Sequence, residues 1–177
     1  MKSFSIVVAM DEEKGIGKAG ALAWRLPGEL KHFKILTTAV KDISKSNAVI
    51  MGRKTWESLP DKYRPLPGRL NVVLSSAGSA LGVPNGVLVL SSLDHALQVL
   101  SVNDQIEQVF VIGGANLYAQ AISHDACNAI FVTDVQAIFD CDVFFPPIPA
   151  VFRKSDVSPL VVEDDIAYRF VDYQIVK

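Results

Sequence analysis

The chain has 177 residues, half of them hydrophobic and 20% charged, with a formal net charge of −2. Such a length and balance describe one soluble globular domain with a substantial core of its own. Near-neutral charge gives no reason to expect nucleic acid or an acidic membrane as partner, so an anionic ligand must be met by local cations.

The N-terminus runs from Lys2 straight into an apolar run, Phe4 to Met10, expected to be a buried strand. Asp11, Glu12, Glu13 and Lys14 follow, which is too short and wrongly flanked for a signal peptide or membrane span. Gly15-Ile16-Gly17-Lys18-Ala19-Gly20 then matches the spacing G-x-G-x-x-G. That dinucleotide fingerprint should close a strand tightly and open a helix at once. Here four charged residues precede the first glycine, and no helix is signalled before Pro27. The segment reads as a glycine-hinged loop lying over a site.

A helix is expected over 28–38, with Pro27 suited to its first position and Glu29 in its first turn. Leu30, Phe33 and Thr37 recur at helical spacing and predict an inward face, with Phe33 on the flank of Glu29. A carboxylate at the edge of an apolar face, beneath the loop bearing Trp24, can hold a proton near neutral pH. The other reading is that Glu29 only complements the helix dipole in solvent.

Further short Val/Ile-rich runs predict strands at Ala48 to Met51, Leu70 to Leu74, Val87 to Leu90, Val109 to Ile112 and Ile130 to Val135. Helices are expected between several of them, over 54–58, 92–101 and 115–123. The alternation predicts an α/β fold with a mostly parallel sheet. After Pro146, Pro147 and Pro149 the pattern changes, and strands near 151–157 and 166–176 predict an antiparallel hairpin at the sheet edge. Cys127 and Cys141 form no C-x-x-C pair and read as two free thiols in a reducing cytosol. No metal site is expected.

Two strand-to-helix turns could receive phosphate. Gly52-Arg53-Lys54-Thr55 places two cations and a hydroxyl at a helix start, where positive side chains are unfavourable unless an anion arrives. Gly113-Gly114, before Ala115-Asn116-Leu117-Tyr118, lets a pyrophosphate approach the backbone. Two cradles suit a ligand with separated phosphates such as NADPH. Arg53, Lys54 and the Ser75 and Ser76 hydroxyls could then hold a 2′-phosphate. Ordinary turns and solvated surface cations remain open for each.

The ordered set of motifs resembles the dihydrofolate reductase family over nearly the whole chain. It comprises Ile6-Val7-Val8-Ala9, Gly15-Ile16-Gly17, Trp24-Arg25-Leu26-Pro27, Met51-Gly52-Arg53-Lys54-Thr55-Trp56, Arg64-Pro65-Leu66-Pro67-Gly68-Arg69, Val111-Ile112-Gly113-Gly114 and Phe139-Asp140-Cys141-Asp142. The resemblance implies one domain over 1–177. Its fold would be a three-layer one, with an eight-stranded mixed, mostly parallel sheet, a C-terminal antiparallel hairpin and about four flanking helices. It implies NADPH-dependent reduction of 7,8-dihydrofolate in the cytoplasm, sensitivity to antifolates, and a monomer unless the domain is fused to thymidylate synthase.

By the same resemblance Glu29 is the active-site acid that meets the pterin, and Thr133 hydrogen-bonds it. Trp24 helps hold an ordered water, and Tyr118 lies by the nicotinamide. Val7 and Ile112 offer backbone carbonyls, while Leu22, Phe33 and Leu59 line apolar walls. Arg69 grips the α-carboxylate of the folate tail, a bidentate task that suits guanidinium. Val8, Lys34 and Arg64 complete the substrate set. The cofactor set adds Ala9, Ile16, Gly17, Leu74, Ala115, Asn116 and Leu117 to the two glycine turns and Ser75-Ser76. Two departures stand out. Ala23 replaces a proline usual before this tryptophan, and Ser76 replaces an arginine that many members use for the 2′-phosphate.

Two rival readings compete with this one. A related reductase of riboflavin synthesis would have little use for the Glu29–Thr133 pair or Arg69. A non-catalytic folate- or dinucleotide-binding module would be betrayed by loss of the acid, and Glu29 is present.

Overall fold

The computed structural model describes residues 1–176. In chain order the strands are β1 (Phe4–Met10), β2 (Gly15–Gly17), β3 (Ser46–Gly52), β4 (Arg69–Leu74), β5 (Leu88–Leu90) and β6 (Ile106–Val111). They continue with β7 (Cys127–Val135), β8 (Val143–Phe144), β9 (Phe152–Val157), β10 (Val161–Glu163) and β11 (Ile166–Ile175). The helices are α1 (Pro27–Thr38), α2 (Arg53–Ser58), α3 (Leu93–Ser101) and α4 (Ala115–Ala121).

Eight strands form one continuous path in the order β10-β11-β7-β1-β6-β3-β4-β5, and β9 joins the same edge of β11 beyond β10. The six strands from β7 to β5 are parallel, and β11 reverses the direction against β7. Parallel strands are covered on both faces, which is why these segments are near-continuous Val/Ile runs. Alternate side chains build two cores. Ile6, Val8, Ile50, Val111 and Val132 pack with α3 and α4, while Val7, Val49, Met51, Val73 and Phe110 pack against Phe33 and Leu36 of α1 and Trp56 of α2. The result is the three-layer architecture expected from the sequence.

Several details differ from the expectation. Gly15–Gly17, expected to lie in a loop, forms a short strand paired with β8, and as expected it opens no helix. Leu30 is 47% exposed; the inward stripe of α1 runs through Glu29, Phe33, Leu36 and Thr37, because the helix is turned so that Glu29 faces the sheet. β10 interrupts the expected two-strand hairpin, giving β11 a different partner at each end. Both cysteines are free, in line with the sequence reading.

Candidate active site

The site is organised where α1 meets β1 and β7. Pro27 occupies the start of α1, and Glu29 lies in its first turn, 7% exposed. The in-register pairing of Ala9 on β1 with Thr133 on β7 brings Thr133 beneath that helix. Its hydroxyl Oγ1 donates to Glu29 Oε1 at 3.2 Å. Burial raises the Glu29 carboxyl above its ordinary pKa, and the Thr133 hydrogen bond offsets this only in part. Glu29 is therefore a buried acid that ionises less readily than an ordinary carboxyl, in a largely apolar setting.

Trp24 is 6% exposed and packs with Leu26, Val135 and Tyr168, with its ring 5.3 Å from that of Phe139. Its indole Nε1–H is buried without an acceptor among the described residues. A buried donor of this kind calls for a polar partner from a ligand or an ordered water. Val7, Phe33, Leu59, Ile112 and Phe131 fall in one apolar cluster on this side of the sheet. Tyr118 of α4 donates its hydroxyl to the Val7 carbonyl at 2.7 Å. Complete burial, and the nearby Glu29 charge, push its own ionisation far up, so it stays a neutral donor.

The other substrate candidates lie in varied settings. Arg69 is half-buried, with Nε donating to the Pro67 carbonyl at 2.9 Å and Nη1 to Thr37 Oγ1 at 3.0 Å. Burial lowers its pKa somewhat, and its guanidinium lies 5.9 Å from the Phe33 ring. Arg64 instead pairs with Asp61 at 2.9 Å and lies over Trp56, sharing no bond with Arg69. Val8 points its side chain into the opposite core, so only its backbone could face a ligand on the Val7 side. Leu22 and Lys34 are exposed.

The glycine turns converge at the ends of β3 and β6. Gly52 N–H donates to the Gly113 carbonyl at 2.8 Å, joining the two turns directly. Gly113 has φ +116, and a Cβ there would stand 3.1 Å from the Tyr118 ring; a Cβ on Gly114 would stand 3.3 Å from Thr55 Oγ1. Side chains are thus kept off this stretch of backbone, which fits close approach by a pyrophosphate. Arg53 and Lys54 are exposed beside it, and Arg53 Nε is paired with Glu57 at 2.7 Å. Ser75 uses its hydroxyl to accept from Ala77 N–H at 3.1 Å, and Ser76 is exposed. Leu117 is a core residue, Asn116 is exposed, and Ala115 and Leu74 are half-buried. Ala9 packs near Trp24, while Ile16 packs against the α3/α4 core and Gly17 pairs with β8.

Sequence reasoning passed over Asp11, Thr37 and Phe131. Asp11 stood in a charged run with no periodic signal. Thr37 was read only as an inward residue, yet its hydroxyl donates to the Phe33 carbonyl at 2.8 Å while accepting from Arg69. Phe131 lay inside the apolar run Ala129 to Val132, where nothing distinguishes it from its neighbours.

A family model described as dihydrofolate reductase matches residues 3–175. The chain is 39% identical to the dihydrofolate reductase of Drosophila melanogaster over 181 residues, covering 100% of this chain and 98% of that protein. It is 41% identical to that of Heliothis virescens over 177 residues, covering 96% of each. It is also 45% identical, over 177 residues, to the bifunctional dihydrofolate reductase-thymidylate synthase of Zea mays. There the match takes in 97% of this chain but 34% of the longer protein, so the chain spans about a third of the length of such bifunctional relatives. With the match running almost end to end and the acid, its threonine and the joined glycine turns in one place, this chain belongs to the dihydrofolate reductase family.

Proposed function

We propose that this chain reduces 7,8-dihydrofolate to 5,6,7,8-tetrahydrofolate with NADPH, in the cytoplasm, as a single catalytic domain that is free-standing or joined to thymidylate synthase. The observation that carries the reading is Glu29, a buried acid hydrogen-bonded to Thr133 and flanked by Phe33 and the Val7 cluster. A flat heterocycle with an amidine-like edge suits this combination, because the acid satisfies polar edge atoms while the ring faces meet apolar walls. The reduced nicotinamide, when bound, supplies the hydride that C6 of the substrate accepts.

This chain's own groups do the rest. Glu29 binds the pterin edge and, as an acid whose proton affinity is raised by burial, favours protonation at N5 through solvent. Thr133 fixes the orientation of the acid. Trp24 offers its indole N–H toward an ordered water, and the Tyr118–Val7 hydrogen bond would steady the wall that a bound nicotinamide meets. Arg69, steadied by Pro67 and Thr37, keeps donors free for a carboxylate on the substrate tail. The Gly52 and Gly113-Gly114 turns would hold the pyrophosphate, and Arg53 and Lys54, with Ser75 and Ser76, would favour the 2′-phosphate of NADPH over NADH. Inhibitors that mimic the pterin compete at Glu29.

The direct test follows NADPH absorbance with and without dihydrofolate. Dihydrofolate-dependent NADPH loss with tetrahydrofolate as product is expected. Absence of dihydrofolate-dependent oxidation by the folded protein would overturn the reading.

A further inference from the structure

The helix that carries the acid is started by a distant part of the chain. Its capping position, Leu26, offers no side-chain acceptor, although first-turn N–H groups need one. Glu163 of β10 provides it: both carboxylate oxygens accept from the Gly28 N–H, at 3.0 and 3.2 Å. The Tyr168 hydroxyl of β11 donates toward Glu163 Oε1 at 3.5 Å, and Tyr168 itself is 2% exposed against Trp24 and Leu26. Gly28 completes the fit. A Cβ there would stand 2.5 Å from the Tyr168 hydroxyl and 3.4 Å from either Glu163 oxygen. Glycine is a poor helix former, so its presence in the first turn needs a reason, and the tyrosine hydroxyl supplies one.

Glu29 is the next residue. We propose that Glu163 and Tyr168 are positioning residues for Glu29: the β10–β11 hairpin sets where α1 begins, and the Glu163 charge at that helix end opposes ionisation of Glu29. The proposal rests on Glu29 being the active-site acid. A helix N-terminus is partly positive and would otherwise favour a carboxylate in its first turn. A second carboxylate bonded to the same turn cancels that help.

The other groups around Glu29 are accounted for. Thr133 of β7 donates to it, and Tyr118 of α4 and Tyr168 of β11 feel its charge. His32, one turn along α1, is stacked on Phe170 with ring centroids 3.6 Å apart, and burial lowers its pKa. Asp134 and Arg169, neighbours of Thr133 and Phe170 in their strands, point to the opposite face and pair with each other at 3.1 Å. Glu163 therefore adds a formal negative charge bonded directly to the residue beside the acid.

The test is single-turnover reduction of dihydrofolate across pH, with thermal melting alongside. Glu163→Gln keeps an acceptor for the Gly28 N–H but removes the charge. The midpoint at which the rate falls with rising pH should move down by about 0.2–0.7 unit, the size of a helix-end charge effect, while melting changes little. A purely structural role would instead move melting and leave the pH midpoint in place. In the steric arm, Gly28→Ala should slow reduction roughly tenfold or more by shifting the acid. Adding Tyr168→Phe removes the blocking oxygen and should recover most of that loss. A wild-type pH midpoint in Glu163→Gln, or no recovery in the double variant, overturns the proposal. Full activity in Glu29→Gln overturns the acid assignment beneath it, a result separable from either of those.

Discussion

Replacing Asp11 with asparagine should loosen the loop that carries Trp24. Asp11 directly follows β1, is 3% exposed and binds two loops at once. Its Oδ1 accepts from Glu13 N–H at 3.0 Å and Gly15 N–H at 2.7 Å, and its Oδ2 from Phe139 N–H at 3.1 Å and the Cys141 thiol at 3.6 Å. Asparagine retains one oxygen but turns an NH₂ group toward two donors. A hydrogen bond to a charged acceptor is lost, about 1.5–3 kcal/mol, and the Phe139 N–H is left without a partner, about 1–3 kcal/mol. The two overlap, so a net loss of about 2–4 kcal/mol is expected, a large share of the roughly 5–15 kcal/mol that holds a domain folded. With a urea slope of about 2 kcal/mol per M, the unfolding midpoint should fall by about 1–2 M. Because the Phe139 ring packs on Trp24, turnover and ligand release should change as well. Cys141→Ala is the control, since it removes the weak thiol donor and should cost about 1 kcal/mol or less. Equilibrium unfolding followed by tryptophan fluorescence measures both. An Asp11→Asn midpoint equal to that of Cys141→Ala would refute the reasoning.

Glu29→Gln should reduce turnover by about two orders of magnitude at neutral pH, the scale of general-acid contributions. Burial raises the Glu29 pKa, so the folded protein binds this proton more tightly than the unfolded chain. The resulting stabilisation is present below the ordinary value of 4.5 and is lost as pH rises through the folded value. Glu29→Gln should therefore melt above the wild type at neutral pH, and an advantage that persists undiminished in acid would contradict the account. Arg53→Ala should weaken NADPH binding by about 1.5–3 kcal/mol while leaving NADH almost unchanged; calorimetry showing equal losses would place Arg53 outside any contact with the 2′-phosphate. Among the described residues Ala23 N–H donates no backbone hydrogen bond, so Ala23→Pro should shift stability by no more than about 1 kcal/mol while altering kcat or ligand off-rates. Protection of residues 11–26 from amide exchange that is high and identical in free and ligand-bound protein would show that this loop does not gate.

Much of the architecture was legible because it is written in local patterns. Buried parallel strands must be apolar on both faces, so β1, β3, β4, β6 and β7 stood out as Val/Ile runs, and their spacing left room for α1 to α4. β2, β8 and β10, of 3, 2 and 3 residues, lack a sustained apolar run: β2 is Gly-Ile-Gly, β8 only Val-Phe, and β10 ends in Glu163, whereas the equally short β5 lies in the apolar run Val87 to Leu90. The rotation of α1 was also misjudged at Leu30. With a carboxyl on the inward face, hydrophobicity alone points to the wrong neighbour, and the helix orients by the Thr133 hydrogen bond and the packing of Phe33 and Leu36.

Sequence alone determined the α/β class, the place of an acid in the first turn of a helix, and the glycine turns after β3 and β6, since each depends on residues a few positions apart. Tertiary structure decided the partnerships. Glu29 meets Thr133 across 104 residues, Asp11 meets Phe139 across 128, and Gly28 meets Glu163 across 135. No local pattern encodes such distances. They follow from β7 pairing beside β1 and from β11 folding back along β7, which carries the C-terminal hairpin to the start of α1. The acid strength of Glu29 belongs to the same level, because desolvation is set by everything packed around a carboxyl rather than by its neighbours in the chain.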